Sequence, residues 1–239
     1  PFIDADTEIS RDDLVTDVLD ALSIDGRLYE IPASFSLYTV AGLEKVVGEY
    51  DTWTLADLRD AMTKLQPGAT IFGEGVTKDN ILENCVSASF DELIDWETGT
   101  CSFDSEEFQA LLDYANTLTV PEELGYDLED SMLLIRRDLA LAEPVTLRSV
   151  SQLHQIEAYT VGEPVAWIGW PGESGTKLRP AAELAAFKDT AHPDGISDFL
   201  QFLLSEPCQA AFSRFAFPMT VSAFESEITA AMEPRNTND

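Results

Sequence analysis

The sequence is poor in basic residues. Its 239 residues include 14 Lys and Arg against 44 Asp and Glu, which gives a formal net charge of −30 at pH 7. A surface of this sign repels phosphate groups, so it disfavours binding to nucleic acid and docking on anionic lipid headgroups. The simplest interpretation is a well-solvated acidic surface rather than an acidic binding patch.

Cysteine, histidine and long apolar runs are also scarce. The three cysteines are an odd number and imply no closed disulfide framework, although Cys85 and Cys101 could form a disulfide in an oxidising compartment. Cys208 falls on an apolar helix face, which favours a buried free thiol. His154 and His192 lack the spacing of metal ligands, so no metal or other cofactor is expected. No apolar run approaches the ~20 residues that a membrane-spanning helix needs.

Strand patterns alternate with capped helices, which is typical of an α/β layer architecture. Apolar residues make up 45% of the chain and charged residues 24%, as in an ordinary globular protein. Capping signals near Ser10, Thr54 and Ser105 each precede an apolar stripe of helical spacing. The predicted stripes cover Leu14–Leu22, Leu55–Leu65 and Phe108–Leu118.

Proline marks the strands predicted near the start of the chain. After an Asp25-Gly26 turn, the apolar run Leu28–Ile31 predicts a strand that Pro32 ends, and Leu37–Val40 predicts a second strand in line with it. Two strands in line, separated by a proline and small residues, suit a chain that leaves one sheet and enters another.

Three later segments give further expectations. Asp95–Phe103 predicts a hairpin with a glycine turn, in which Trp96 packs into the core. Leu139–Ala142 predicts a strand that stops before Pro144, and residues 146–158 predict a helix.

Several segments, in this order, resemble one known family. The crossover segment "DGRLYEIPASF" is followed by "TWTLADLRDAMTKL" and then by "IDWETGTCSFDSEEFQALLDYAN". "VAWIGWPGESG" and "ISDFLQFLLSEPCQAAF" complete the series. Together they resemble the extracellular solute-binding proteins, family 1, which are the sugar-binding lipoproteins of bacterial ABC importers. The segment "TKLRPAAELAAF" departs from the family, which more usually carries small residues and a Ser-rich strand there.

The resemblance implies an α/β fold of the periplasmic binding protein-like II class, with two discontinuous lobes. Residues 1–35 are expected to end a first-lobe segment, 36–168 to form the second lobe, and 169–239 to return to the first lobe and the C-terminal tail. The family's opening βα units are not found before the crossover, so we expect a C-terminal part with an incomplete first lobe. The implied location is extracellular, as a membrane-anchored lipoprotein, or periplasmic.

The same resemblance implies a binding protein and not an enzyme. Such a protein captures a sugar or oligosaccharide between two hinged lobes and delivers it to the transmembrane subunits of an ABC permease. No cofactor takes part.

Sugars offer C–H faces that stack on aromatic rings and hydroxyls that pair with carboxylates, and such sites are concave. If the two joints between lobes line the cleft, they supply ligand residues. The nominated residues are Phe35 and Ser36 at the first joint, Trp170 and Glu173 at the second, and, by position after a strand and after a helix, Glu143 and Phe72. The alternative for Phe35 and Trp170 is packing at the hinge without ligand contact.

Two other functions stay open. A carbohydrate-active enzyme fragment would need two carboxylates facing one cleft, but with 44 acidic residues such pairs are unavoidable and discriminate nothing. An acidic extracellular interaction module without transport would bind a cell-surface partner and respond to no small molecule.

Overall fold

The computed structural model describes residues 10–50, 52–73, 76–118, 128–160, 162–172 and 175–233. The strands are β1 (Ile31–Leu43), β2 (Thr70–Phe72), β3 (Ile94–Asp95), β4 (Thr100–Cys101), β5 (Ala140–Leu147), β6 (Val165–Trp167), β7 (Lys177–Leu184) and β8 (Phe217–Pro218). The helices are α1 (Thr16–Ala21), α2 (Glu44–Val47), α3 (Leu55–Met62), α4 (Lys78–Ala88), α5 (Phe90–Leu93), α6 (Glu106–Thr117), α7 (Leu128–Arg136), α8 (Val150–Tyr159), α9 (Pro193–Leu203), α10 (Glu206–Phe212) and α11 (Val221–Met232). None of these helices is long and apolar enough to cross a membrane.

The chain divides into two compact units, each built from separate segments. Unit 1 contains residues 1–37, 147–154 and 178–239, and unit 2 contains residues 38–146 and 155–177. The chain passes from one unit to the other within β1, at the end of β5, within α8 and at the start of β7. Two units made of discontinuous segments match the predicted fold class, while the predicted boundaries after residues 35 and 168 stay a prediction.

Unit 2 is centred on a mixed sheet. β2 pairs with β5 in parallel, with Phe72 opposite Ala142. β5 neighbours β1, which pairs antiparallel with β6. The first residues of β5, Ala140–Glu143, are all buried, as expected for a strand covered on both faces. This pairing brings the end of β2 beside the middle of β5.

Unit 1 contains the first half of β1. β8 pairs antiparallel with it and sets Phe35 opposite Phe217. The buried amide of Gln209, on α10, donates to the carbonyl oxygen of Ala33 at 3.1 Å and accepts from the Met219 backbone N–H at 2.7 Å. Because a buried amide must be hydrogen-bonded, these contacts fix the position of α10 against β1 and the residue that follows β8.

The predicted helix caps at Thr54 and Ser105 are confirmed. The Thr54 hydroxyl accepts from the Asp57 backbone N–H at 3.2 Å, and the Asp57 carboxylate accepts from the Thr54 backbone N–H at 2.8 Å. This reciprocal pair satisfies two backbone donors that the first turn of α3 leaves free. Ser105 caps α6 through the Phe108 backbone N–H at 3.2 Å.

The two predicted glycine turns are also present. Asp25 and Gly26 have φ of 50° and 70°, and Ile24 and Arg27 exchange backbone hydrogen bonds across them. Positive φ at both central residues is the signature of a type I′ turn. The predicted hairpin forms from β3 and β4, with Gly99 at φ 67° in its turn.

Both predictions that a proline ends a strand are wrong. β1 runs through Pro32 without a break, and Leu28–Glu30 before it is not a strand. β5 likewise continues through Pro144 to Leu147. Proline cannot donate to a ladder, but it is tolerated at the start of a strand or where its missing N–H faces no partner. A proline therefore does not fix where a strand ends.

Other local expectations also need correction. The stripe Leu14–Leu22 forms a shorter helix, because the Ser10 capping box closes a 3₁₀ turn instead of α1. The helix expected over 146–158 starts only at α8, since β5 occupies its first residues. Trp96 is 70% exposed on the hairpin rather than packed in the core. Cys208 is half-buried rather than buried. Nothing in the sequence reasoning anticipated β8 or α11.

Candidate functional site

Three aromatic rings of unit 2 pack side by side. Trp170 follows β6, and its ring centroid lies 5.4 Å from that of Tyr38 on β1 and 5.5 Å from that of Phe72 on β2. The ring planes are inclined by 50° and 46°, so both contacts are tilted. Trp170 is 0% exposed, Phe72 4% and Tyr38 8%. Contacts of this geometry stabilise ring pairs beyond the area that they bury.

A buried carboxylate of the same unit binds the backbone at the residue after Phe72. Glu143, on β5, is 1% exposed and accepts a hydrogen bond from the backbone N–H of Gly73 at 3.2 Å. Gly73 directly follows Phe72, whose partner in the parallel ladder is the residue before Glu143. A Cβ atom on Gly73 would lie 2.4 Å from Glu143 Oε2 and 3.0 Å from Ser131 Oγ. The carboxylate therefore occupies space that only glycine leaves free.

The backbone of Trp170 is fixed by the loop that follows β6. The Trp53 indole donates to the Gly169 carbonyl oxygen at 2.9 Å, and the Trp53 carbonyl oxygen accepts from the Gly172 N–H at 3.0 Å. Trp170 itself donates its backbone N–H to the Gly175 carbonyl oxygen at 2.7 Å. Gly169 has φ of +72°, and a Cβ atom there would lie 2.5 Å from the backbone of Gly175. The loop thus needs glycine to close this tightly.

The indole nitrogen of Trp170 is buried and has no hydrogen-bond partner among the described residues. An indole N–H is a donor only, and leaving such a group buried and unpaired costs about 1–3 kcal/mol. An oxygen atom of a bound molecule would remove this cost. The rings offer faces for C–H groups, the indole N–H offers a donor for an oxygen atom, and the Glu143 carboxylate offers an acceptor for a hydroxyl. Together these groups suit a polyhydroxylated molecule.

Two groups of unit 2 have a pKa raised by burial. Burial raises the pKa of the Cys85 thiol to about 12, although Lys177 acts in the opposite direction. Burial, with a smaller contribution from Cys85, also raises the pKa of the Tyr114 phenol. Neither group is a ready nucleophile or base at neutral pH. Within the described part of the chain, no group of three or more His, Cys, Asp or Glu could hold a metal ion.

Three of the predicted ligand residues lie in unit 2. Phe72 and Trp170 are in ring contact, and Glu143 binds the residue after Phe72. Sequence reasoning missed Tyr38, because it lies inside an apolar run that predicts only a strand. The one signal for Tyr38 is its aromatic side chain, three residues after Phe35 and inside the predicted strand Leu37–Val40.

Two of the other predicted residues, Phe35 and Ser36, lie in unit 1. Phe35 belongs to unit 1, where its ring centroid is 5.4 Å from that of Phe217. Ser36 is half-buried on β1 of the same unit. Glu173 lies outside the described residues. A role in ligand binding stays a prediction for all six residues.

Comparison with known proteins identifies the fold. No protein-family model and no curated protein matches the chain. The sugar-binding protein MalE from Xanthomonas citri superposes with a TM-score of 0.58 at 15% identity, over 94% of this chain and 61% of its own. The chain has the fold of solute-binding proteins. A family 1 extracellular solute-binding protein from Alicyclobacillus acidocaldarius gives a TM-score of 0.57 at 17% identity, over 98% of this chain and 62% of its own.

The same solute-binding fold occurs in an ABC substrate-binding protein from Listeria monocytogenes, solved in complex with cycloalternan. It gives a TM-score of 0.54 at 15% identity, over 95% of this chain and 62% of its own. The chain therefore spans 61–62% of the length of these three proteins. The fold class predicted from the sequence is confirmed.

Proposed function

We propose that this protein is the solute-binding component of an ABC importer, which captures a sugar or oligosaccharide and delivers it to the transmembrane permease subunits. It works in an extracellular or periplasmic location, and a lipid anchor would keep it near the permease. It makes and breaks no covalent bond. The observation that carries the proposal is a set of buried side chains in unit 2: the contacting rings of Tyr38, Phe72 and Trp170, and Glu143, which binds the backbone at the residue after Phe72. This set is called here the aromatic–carboxylate cluster.

The fold supports the proposal. Among the proteins that share it, one is named a sugar-binding protein and another was solved with cycloalternan. Because many functions can occupy one fold, the residues of this chain must carry the rest of the argument.

The chemistry of the aromatic–carboxylate cluster fits a sugar. The faces of the three rings can cover the C–H groups of a pyranose, while Glu143 accepts hydrogen bonds from its hydroxyls. The Trp170 N–H, which has no partner within the described part of the chain, can donate to a hydroxyl or ring oxygen. A site built to hydrogen-bond hydroxyls rejects molecules that lack them, because its buried polar groups would then stay unpaired.

Solute binding at this cluster requires an opening motion. Its four side chains are at most 8% exposed, so a sugar reaches them only after neighbouring groups move away. Affinity then includes the free energy of opening, because only the open fraction of the protein binds. Association slower than the usual protein–ligand encounter is the expected kinetic consequence.

A thermal-shift screen tests the proposal on the protein as its gene encodes it. The panel contains monosaccharides, oligosaccharides, polyols and amino acids. A ligand at about 100 times its Kd adds about 2.7 kcal/mol to the free energy of unfolding, a shift of several degrees for a domain of this size. Chromatography of the incubated sugar should show it unchanged, since no reaction takes place. A flat screen on folded protein would refute the proposal and favour the interaction module.

A matched pair of variants ties binding to the cluster. Phe72→Leu removes one ring face, and Phe224→Leu removes a ring in unit 1 that lies 5.5 Å from Phe217, the same separation as between Phe72 and Trp170. Losing one aromatic contact of about 0.5–1.5 kcal/mol weakens binding by roughly 2- to 12-fold. Calorimetric titration should show this loss for Phe72→Leu only. Equal affinities in both variants would exclude the cluster as the site.

A further inference from the structure

A chain of hydrogen bonds runs through α4 to the ring of Tyr38. The Lys177 amine donates to Asn84 Oδ1 at 2.9 Å and to the Ser87 hydroxyl. Asn84, which is 2% exposed, donates its amide to the Asn80 backbone oxygen at 2.7 Å and to Asn80 Oδ1 at 3.3 Å. The Tyr38 hydroxyl donates to Asn80 Oδ1 at 3.4 Å. These contacts all lie within unit 2.

A second contact ties the start of β7 to the same part of β1. The Thr39 and Thr176 hydroxyls are 2.8 Å apart, so the residues next to Tyr38 and Lys177 are also bonded to each other. Lys177 opens β7, and Tyr38 lies within β1. The start of β7 and this part of β1 are thus joined directly and through α4.

The chain of hydrogen bonds ends at Tyr38, whose ring belongs to the proposed solute site. Its hydroxyl is held by Asn80, and its ring packs against Trp170 with centroids 5.4 Å apart. An anchored hydroxyl leaves the phenol fewer orientations, so it limits the orientations open to the neighbouring indole as well. Lys177 contributes by holding the Asn84 amide in the one orientation that lets its nitrogen donate to Asn80.

We propose that Lys177 is a positioning residue for the solute: through Asn84, Asn80 and Tyr38 it sets the orientation of the Trp170 ring. The inference rests on the proposed function, in which this ring contacts the sugar. Lys177 itself does not touch the solute. Its removal changes affinity because the rings must then be ordered during binding, a cost that the intact network removes beforehand.

Fluorine NMR of protein labelled with 5-fluorotryptophan tests the positioning step without any solute. The Trp170 resonance is assigned by its loss in Trp170→Phe. Lys177→Met is expected to move or broaden this resonance. Lys78→Met is the matched control, because Lys78 also donates to an asparagine side chain, that of Asn116, but lies outside this chain of hydrogen bonds. An unmoved Trp170 resonance in Lys177→Met would overturn the inference.

A double-mutant cycle on sugar affinity gives the second readout. Tyr38→Phe cuts the network at its other end and keeps the ring. Each single variant should weaken binding by roughly 2- to 30-fold, and the double variant by no more than the stronger single change. Additive losses would mean that Lys177 and Tyr38 act on affinity independently, and a lower Tm with unchanged affinity would mean a purely structural role; either result would overturn the inference. If Lys177→Met fails to fold, Tyr38→Phe alone must still move the Trp170 resonance.

The two hypotheses fail in different ways. If no sugar binds the wild type while Lys177→Met still moves the Trp170 resonance, the proposed function is wrong and the control of the ring by Lys177 stands. If sugars bind and the resonance does not respond to Lys177→Met, the positioning role is wrong and the proposed function stands.

Discussion

Replacing Gly73 by alanine should disturb the aromatic–carboxylate cluster from its backbone side. The new Cβ would lie 2.4 Å from Glu143 Oε2, where ordinary contact begins at 3.4 Å. The carboxylate must then retreat by roughly 1 Å, which breaks or lengthens its hydrogen bond with the Gly73 N–H. Ser131 has to move as well, because its Oγ and Cβ would be 3.0 and 3.1 Å from the new atom.

Two quantities should change in Gly73→Ala. Overpacking of this kind lowers the free energy of unfolding by about 1–3 kcal/mol, measured by urea denaturation. Sugar affinity should fall roughly 10- to 150-fold in calorimetric titration, since a hydrogen bond to a charged group is worth about 1.5–3 kcal/mol. The second effect requires that Glu143 contacts the solute.

Gly195→Ala is the control for this prediction. Gly195 lies in α9, where the nearest atom to an added Cβ is His192 Cβ at 3.9 Å. Alanine should therefore stabilise this helix by about 0.5–1 kcal/mol and leave sugar affinity unchanged. A Gly73→Ala protein that is as stable as wild type and binds sugar equally well would refute the packing described around Glu143.

Three further predictions concern other parts of the molecule. With iodoacetamide at pH 8, mass spectrometry should find Cys101 modified and Cys85 protected until the protein unfolds, because Cys85 is 3% exposed and burial raises its pKa to about 12. The pKa of Glu227 is raised, mainly by burial, so the folded protein favours the protonated side chain. The stability that this protonated group contributes is therefore lost as the pH rises from the ordinary pKa of 4.5 through the pKa in the folded protein. The Tm of Glu227→Gln minus that of wild type should accordingly increase across this window, and a flat difference would contradict the shift. Phe202 is 65% exposed, so Phe202→Ser should change the free energy of unfolding by less than about 0.5 kcal/mol, and a larger loss would show that the ring is covered.

Local signals were enough to predict the caps and turns. The Thr54 and Asp57 pair and the Asp25-Gly26 turn depend on residues within four positions of each other, so their geometry follows from the sequence. The strand ends predicted at Pro32 and Pro144 are wrong because the effect of a proline depends on what lies opposite its missing N–H group. The sequence of a single strand does not reveal that neighbour. The prediction that Trp96 packs into the core is wrong because β3 and β4 have only two residues each, and such short strands bury little surface.

The candidate site could be predicted only in part. The sequence predicts Phe72 and Glu143 only by their positions after separate elements. The parallel pairing of β2 with β5 is what brings Glu143 next to Gly73. No local pattern contains that pairing. Tyr38 and the network to Lys177 depend on contacts between residues far apart in the chain, which is why sequence reasoning did not find them.

The most direct test of sugar binding at this cluster is the fluorine resonance of 5-fluorotryptophan at position 170, recorded while the protein is titrated with each sugar of the panel. One sugar class should shift the Trp170 resonance saturably, because the proposed site has the sugar in contact with this ring and with its N–H, which finds no partner among the described residues. The resonance of Trp96, exposed on the hairpin, should stay in place. Sugar binding seen by calorimetry with an unmoved Trp170 resonance would contradict the account.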